Sequence, residues 1–150
     1  MEKYSEITLR KIGRVQNGVG QMMRHGWSEI ESELIIDSTL VDLLDGLEGF
    51  THIIVIFWMH KSTRPYSPKV HPQGRSDMPL TGLFATRAPH RPNNVGLTVV
   101  ELLERNGNSL KVRGLDAIDG TPLIDIKPYL PRDMIPQARY PEWVSRLSYT

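Results

Sequence analysis

Two stretches of the chain carry charged side chains at spacings able to grip a small polar ligand. In the first, Gly82 to Thr98, Arg87 and Arg91 stand four residues apart around Pro89. Two guanidinium groups in a proline-stiffened turn can hold a carboxylate or a phosphate through paired hydrogen bonds. Gly96 permits a close backbone approach before the next strand begins. The same arginines can instead bind the loop to itself, so residue type and spacing leave both roles open. In the second stretch, Gly114 to Tyr129, Asp116 and Asp119 bracket a strand end and are followed by Gly120, Thr121 and Pro122. A carboxylate placed there can accept the hydroxyls of a ribose or take a proton from a substrate. Asp-Gly-Thr-Pro is equally a good sequence for a plain β-turn.

Other chemistries are poorly represented. The 150 residues contain no cysteine, which removes disulfides, thiolate zinc sites, iron–sulfur clusters and thiol nucleophiles together. The five histidines, His25, His52, His60, His71 and His90, have no paired metal-ligand spacing, and no metal is expected. Gly18-Val19-Gly20-Gln21-Met22-Met23 begins like a dinucleotide fingerprint, but Met23 replaces its third glycine and no clear βαβ unit follows. Met1 to Arg10 lacks the apolar run and cleavage site of a secretory signal. The longest apolar run, Ile53 to Met59, is far shorter than the roughly 20 residues of a membrane helix. A cytoplasmic protein with no membrane partner is expected. Between His60 and Arg91, the six cations Lys61, Arg64, Lys69, Arg75, Arg87 and Arg91 face only Asp77. That excess suits a polyanion, and it suits a solvated proline-rich loop as well.

The elements that must position these groups are mostly strands. Glu6–Val15 alternates imperfectly and ends at Asn17-Gly18, Ser32–Ile36 is a second candidate, and Phe50–Met59 is apolar on both faces, as a central strand should be. A long loop with Pro65, Pro68, Pro72 and Pro79 follows. Short and long strands are then expected at Gly82–Thr86 and Val95–Glu104, with a two-residue turn centred on Asn106-Gly107, a return strand at Ser109–Leu115, and a last one at Leu123–Ile126. Short helical turns are expected at residues 39–44, behind the Asp37-Ser38 cap, and at residues 141–147. The count predicts a mainly β, single-domain antiparallel barrel of about seven strands with one or two short helices.

Taken together, the two charged stretches resemble the TrmO, or TsaA-like, family. The matching residues are Gly82, Phe84, Thr86, Arg87, Pro89, Arg91, Pro92, Asn93 and Gly96, then Asp116, Asp119, Gly120, Thr121, Pro122, Asp125, Ile126, Lys127, Pro128 and Tyr129. The likeness also covers the Ile12–Val15 strand and the Leu47–Lys61 strand. It implies a homodimeric β-barrel that binds S-adenosyl-L-methionine and methylates N6 of a threonylcarbamoylated adenosine beside the anticodon of tRNA. Carried over residue by residue, it places His60, Lys61, Arg87, Leu97 and Asp119, Gly120, Thr121 and Pro122 at the cofactor, with Arg91 on the cofactor carboxylate or an RNA phosphate. Asp116 is expected at the cofactor as well. Asn94 stands where the family has a proline, which is expected to loosen the loop, and Gln21-Met22-Met23-Arg24 stands where relatives have a Pro-Arg-Gln segment that helps bind the cofactor.

Methyl transfer requires an aligned nucleophile that can lose its proton. Asp119 or His60 is the expected base. Arg64, Lys69, Arg75 and Arg91 are the expected RNA contacts, and Trp58 or Tyr66 can stack on a base, although Trp58 also fits a core position. The alternatives are the same cofactor site serving a small molecule or a protein, a non-catalytic S-adenosylmethionine-binding module, and a nucleic-acid-binding barrel without cofactor.

Overall fold

A computed structural model describes residues 5–148. Part of the N-terminal stretch read above, Met1–Tyr4, lies outside the described residues. Among the described residues there are eight strands: β1 (Gly13–Gln16), β2 (Glu31–Ile36), β3 (His52–Trp58), β4 (Lys69–Val70), β5 (Thr81–Gly82), β6 (Val95–Asn106), β7 (Ser109–Arg113) and β8 (Pro122–Pro128). Six of them close into an antiparallel barrel in the order β1-β2-β7-β6-β3-β8, and β4 and β5 pair separately. The expected barrel is therefore present with six staves instead of about seven. Its helical content is short 3-10 segments, with no α-helix among the described residues.

Alternation explains the barrel. Along β3, Ile53, Val55 and Phe57 are buried while Ile54, Ile56 and Trp58 are half-buried on the outside. The inward set meets Val15, Leu34, Ile36, Val100, Leu110, Val112 and Leu123 in one core, and Leu44, Leu115 and Ala117 complete it. As expected, β3 is central, pairing with β6 on one side and β8 on the other. Closing so few strands requires strong curvature, which bulges supply. One falls opposite Ile56 and Phe57 in β8, and another lies between Leu102 and Glu104 of β6.

Several expected boundaries move. Glu6–Val15 is not one strand: pairing starts at Gly13, and Ile7 and Leu9 run exposed beside Trp58 and Val95 on the outer wall. Trp58 is thus a wall residue and not a core one. Gly82–Thr86 pairs only at Gly82, because buried Leu83 turns the chain into a 3-10 segment, Leu83–Ala85. The β6–β7 turn slips by one residue. Asn106 pairs with Ser109, and Gly107, at φ 63°, and Asn108 form the loop. The Asn108 side chain donates to the Ile36 carbonyl at 2.7 Å, and this contact fixes the register. The segment at Ser38–Leu44 forms as a 3-10 helix capped by Asp37, whose Oδ1 accepts from the Thr39 N–H at 2.9 Å. It buries Leu44 and leaves Leu43 exposed. The C-terminal turn occupies Glu142–Arg146.

Candidate functional site

One end of the barrel is closed by three connections: the 17–26 loop after β1, the 83–94 loop before β6, and the 114–121 turn before β8. A cleft runs between them. Its larger lobe, about 300 Å³, is lined by Thr86, Arg87, Arg91, Leu97 and Thr98, among others. Its smaller lobe, about 60 Å³, is lined by His60, Lys61, Ser62, Ala117, Ile118 and Thr121. Met22, Phe57, Met59, Pro89 and Asp116 line both lobes, so the two are one space. The two charged stretches thus converge, although 29 positions separate Arg87 from Asp116.

The arginine loop is built on itself. Arg91 Nη1 donates to the carbonyls of Thr86 at 2.9 Å and Ala88 at 3.1 Å, with a longer contact to Leu83 at 3.5 Å. Its guanidinium also lies 5.7 Å from the centroid of the Phe84 ring. One nitrogen of Arg91 is therefore committed to loop geometry, even though the residue lines the cleft. Asn94 tightens the loop, contrary to expectation: its side-chain amide donates to the Pro89 carbonyl at 2.6 Å, and its own carbonyl accepts from the Met59 N–H at 2.8 Å. Arg87 is exposed at the cleft wall and makes no hydrogen bond or ion pair among the described residues. Gly96 is required here. A Cβ on it would lie 2.4 Å from the Phe57 ring across the β3–β6 ladder.

The aspartate turn divides its labour in the same way. Asp119 Oδ1 accepts from the backbone N–H groups of Asn17 at 2.8 Å and Gly18 at 3.3 Å. These bonds, with Arg14 and Lys61 nearby, hold its carboxyl below the usual aspartate range. A carboxylate engaged in this way is a poor proton acceptor, and Asp119 is absent from both lobes. It anchors the 17–26 loop, which carries Met22 to the mouth of the cleft. The Asp119 N–H donates to Val19 at 2.7 Å and the Gly120 N–H to Val15 at 2.8 Å, so the turn is laced to β1. Buried Thr121 donates to the Ile118 carbonyl at 2.7 Å and closes it. Gly120 adopts φ 81°. Pro122 lies on the outer wall beside Ile7 and Leu9, away from the cleft. Asp116 stands exposed at the junction of the lobes, and its carboxylate accepts a hydrogen bond from Thr98 Oγ1.

His60 is half-buried in the smaller lobe, and its Nδ1 is buried without a hydrogen-bond partner. Burial, with Lys61 and Lys11 adding repulsion, pushes its pKa below the usual imidazole value. Both effects favour the neutral form of the ring. Among the expected RNA contacts, Arg64 and Lys69 are exposed, and their side chains have no hydrogen bond or ion pair among the described residues. Arg75 is not free: it grips Asp77 through two bonds of 3.0 and 2.7 Å and donates to the Arg146 carbonyl at 2.7 Å. Sequence reasoning missed Thr98, Met59 and Phe57 as cleft residues. Inward alternation on β3 points to Phe57, but nothing local marks the other two. Among the described residues no group of His, Asp and Glu could hold a metal, and no helix is long and apolar enough to cross a membrane.

A small closed barrel with a polar cleft walled by an arginine loop and an aspartate turn defines a ligand-binding β-barrel domain. The chain belongs to the family described as tRNA-methyltransferase O N-terminal domain, whose model matches residues 21–133. It is 52% identical to a probable S-adenosyl-L-methionine-binding protein of Methanothermobacter thermautotrophicus, over 83% of this chain and 90% of that one. It is 40% identical to the tRNA (adenine(37)-N6)-methyltransferase of Escherichia coli, over 67% of this chain and 45% of that protein. The crystal structure of TrmO from Pseudomonas aeruginosa superposes with a TM-score of 0.73 at 29% identity, covering 90% of this chain and 62% of that one. The chain therefore spans under half of the E. coli methyltransferase and less than two thirds of the TrmO chain.

Proposed function

We propose that the cleft binds S-adenosyl-L-methionine and that the protein methylates N6 of an adenosine beside the tRNA anticodon, a threonylcarbamoylated one by resemblance to the family. The observation that carries this reading is the convergence of unpaired Arg87 and cleft-facing Asp116 on one space. The residues present fit the cofactor. Arg87 offers a free guanidinium for its carboxylate, Asp116 a carboxylate for ribose hydroxyls, and Leu97, Met59, Phe57 and Pro89 an apolar lining for its base and methylene groups. Lys61 and Thr121 border the smaller lobe. When bound, the cofactor supplies an electrophilic methyl group on a sulfonium. The chain's own task is to align the nucleophile, exclude water and take up a proton. His60 is the base in this reading and Asp119 is not, because the His60 side chain lines the smaller lobe while the Asp119 carboxylate is bound to backbone N–H groups and lines neither lobe.

The RNA is held by phosphate contacts from Arg64 and Lys69, with the free edges of Arg91 near the cleft. The homodimer expected for the family is supported by the outer face of β6, where Val99 is 44% exposed. The enzyme acts in the cytoplasm with its tRNA. The test is incubation with methyl-labelled cofactor and total tRNA, followed by nucleoside mass analysis; label on N6 of a single adenosine is expected, and unlabelled tRNA overturns the reading. A second reading, a binding module without catalysis, is favoured by the name of the M. thermautotrophicus relative, which the chain covers almost fully. It predicts micromolar cofactor affinity with no product from any RNA pool.

A further inference from the structure

A second and larger hollow, about 800 Å³, lies on the far side of the loop that walls the cleft. It is lined by Phe84 to Pro89, by Val70 to Gly74, and by Trp143, Val144 and Leu147. Thr86, Arg87 and Pro89 line both this groove and the cofactor cleft, so one loop's thickness separates them. Two features set the groove apart from ordinary surface. Phe84 is 81% exposed, the most exposed large hydrophobic side chain among the described residues, yet it sits on a buried anchor, Leu83, within a loop held by Arg91. The segment that carries Trp143, Val144 and Leu147 is held by contacts distant in sequence. Gln73 Nε2 donates to the Ser148 carbonyl at 3.0 Å, its Oε1 accepts from the Ser148 N–H at 3.2 Å, and Arg146 Nη1 donates to the Asp77 carbonyl at 3.2 Å. Arg75 adds its bond to the Arg146 carbonyl. Gln73 takes φ 56°, which among the described residues no other non-glycine residue does, a backbone conformation retained only where surrounding contacts enforce it.

We infer that this groove is a stacking site for an unpaired RNA base next to the methylated nucleoside. The inference rests on the function proposed above and names the part of the substrate that this second surface takes. An exposed phenyl ring and a half-buried indole lining one groove are groups on which single-stranded bases stack. Among the described residues no acidic side chain lines the groove, and Arg64 and Lys69, which make no ion pair or side-chain hydrogen bond among them, belong to the connection that carries Val70 to Gly74. A polyanion is therefore favoured over an apolar peptide. The shared ridge places a base bound here immediately beside the nucleoside that enters the cleft.

Steady-state methylation of tRNA and calorimetry with S-adenosyl-L-methionine test this together. Phe84→Ala is expected to raise KM for tRNA by roughly five- to a hundredfold, leaving kcat and cofactor affinity unchanged, and Phe84→Tyr is expected to restore KM. Trp143→Phe keeps a ring on the wall, so it should retain KM while abolishing the quenching of tryptophan emission that a single-stranded oligoribonucleotide causes in the wild type. An unaltered KM in Phe84→Ala overturns the stacking site while the methyltransferase stands. Equal loss of cofactor and tRNA affinity in Phe84→Ala overturns it too, by making the groove part of the cofactor site. A wild-type protein that binds cofactor and methylates no tRNA removes the proposed function, and this inference with it. Quenching by an apolar peptide with none by RNA would assign the groove to a protein partner and overturn the base-stacking reading.

Discussion

The arginine loop and the aspartate turn present two like-charged residues each, and each stretch divides them in the same way. Arg91 ties down the carbonyls of its own loop while Arg87 stays unpaired at the cleft wall. Asp119 ties down the N–H groups of the 17–26 loop while Asp116 faces the cleft. A charged group that satisfies backbone polar atoms gives the wall its shape, and its neighbour keeps its charge for a ligand. The residue type is the same in both cases, and the local backbone decides which is which. Because unpaired backbone groups cost more than an unpaired exposed side chain, the structural member of each pair must be filled first.

Replacing the cleft-facing arginine breaks this comparison most sharply. Arg87→Ala should weaken cofactor binding by about 1.5–3 kcal/mol, the worth of hydrogen bonds to a charged group, with the unfolding midpoint unchanged. Calorimetry beside a denaturant titration checks both halves, and equal affinity in the variant would remove Arg87 from the site. Arg91→Ala should do the reverse, destabilising by about 1–2 kcal/mol as the loop carbonyls lose their donor, with any affinity loss following from the loop. Arg91→Lys should not rescue it, because a single ammonium cannot reproduce the planar fork. A stable Arg91→Ala protein with normal loop chemical shifts would contradict the division.

The barrel was legible in the sequence because alternation is a local property. Ile53, Val55 and Phe57 announce a face that the fold then buries, and Gly96 announces a close approach that Phe57 makes. Register was not legible where a side chain intervenes, and Asn108 moved a turn that Asn106-Gly107 alone would have centred one residue earlier. The cleft was half legible. Residue types selected the two stretches, but the roles of Arg87 and Arg91 depend on where Thr86 and Ala88 aim their carbonyls. Met22 reaches the cleft through a loop that Asp119 anchors from 102 positions away, a contact that no local pattern contains.

The aspartates give a smaller contrast, best read against pH. Asp119→Asn should lower Tm at neutral pH and Asp116→Asn should not, whereas Asp116→Asn should weaken cofactor binding more. The folded state holds Asp119 below its ordinary value of 3.8. Its contribution is therefore complete above the unfolded value and fades as pH falls through the folded one. The Tm gap between wild type and Asp119→Asn should accordingly close below about pH 4. A gap that persisted there would mean that amide geometry, not charge, holds the 17–26 loop.

His60 should give the smallest effect and the most specific one, because it is the titrating group that borders the cleft without a partner on Nδ1. Burial first, then repulsion by Lys61 and Lys11, lowers its pKa below 6.5. As pH falls past 6.5 the unfolded chain takes the proton before the folded one, so stability declines until the folded imidazole also protonates, and is level below that point. His60→Gln should flatten this shallow decline. In the enzyme, the acid limb of kcat/KM should report a group titrating below 6.5. Lys61→Ala should move that limb upward only in part, because burial, the larger cause, remains. Observing the imidazole resonances between pH 5 and 8, a window that brackets the ordinary imidazole value, decides the matter: a His60 ring that titrates at or above its ordinary value would show that the smaller lobe is wetter than its lining implies, and would remove the neutral base from the cleft.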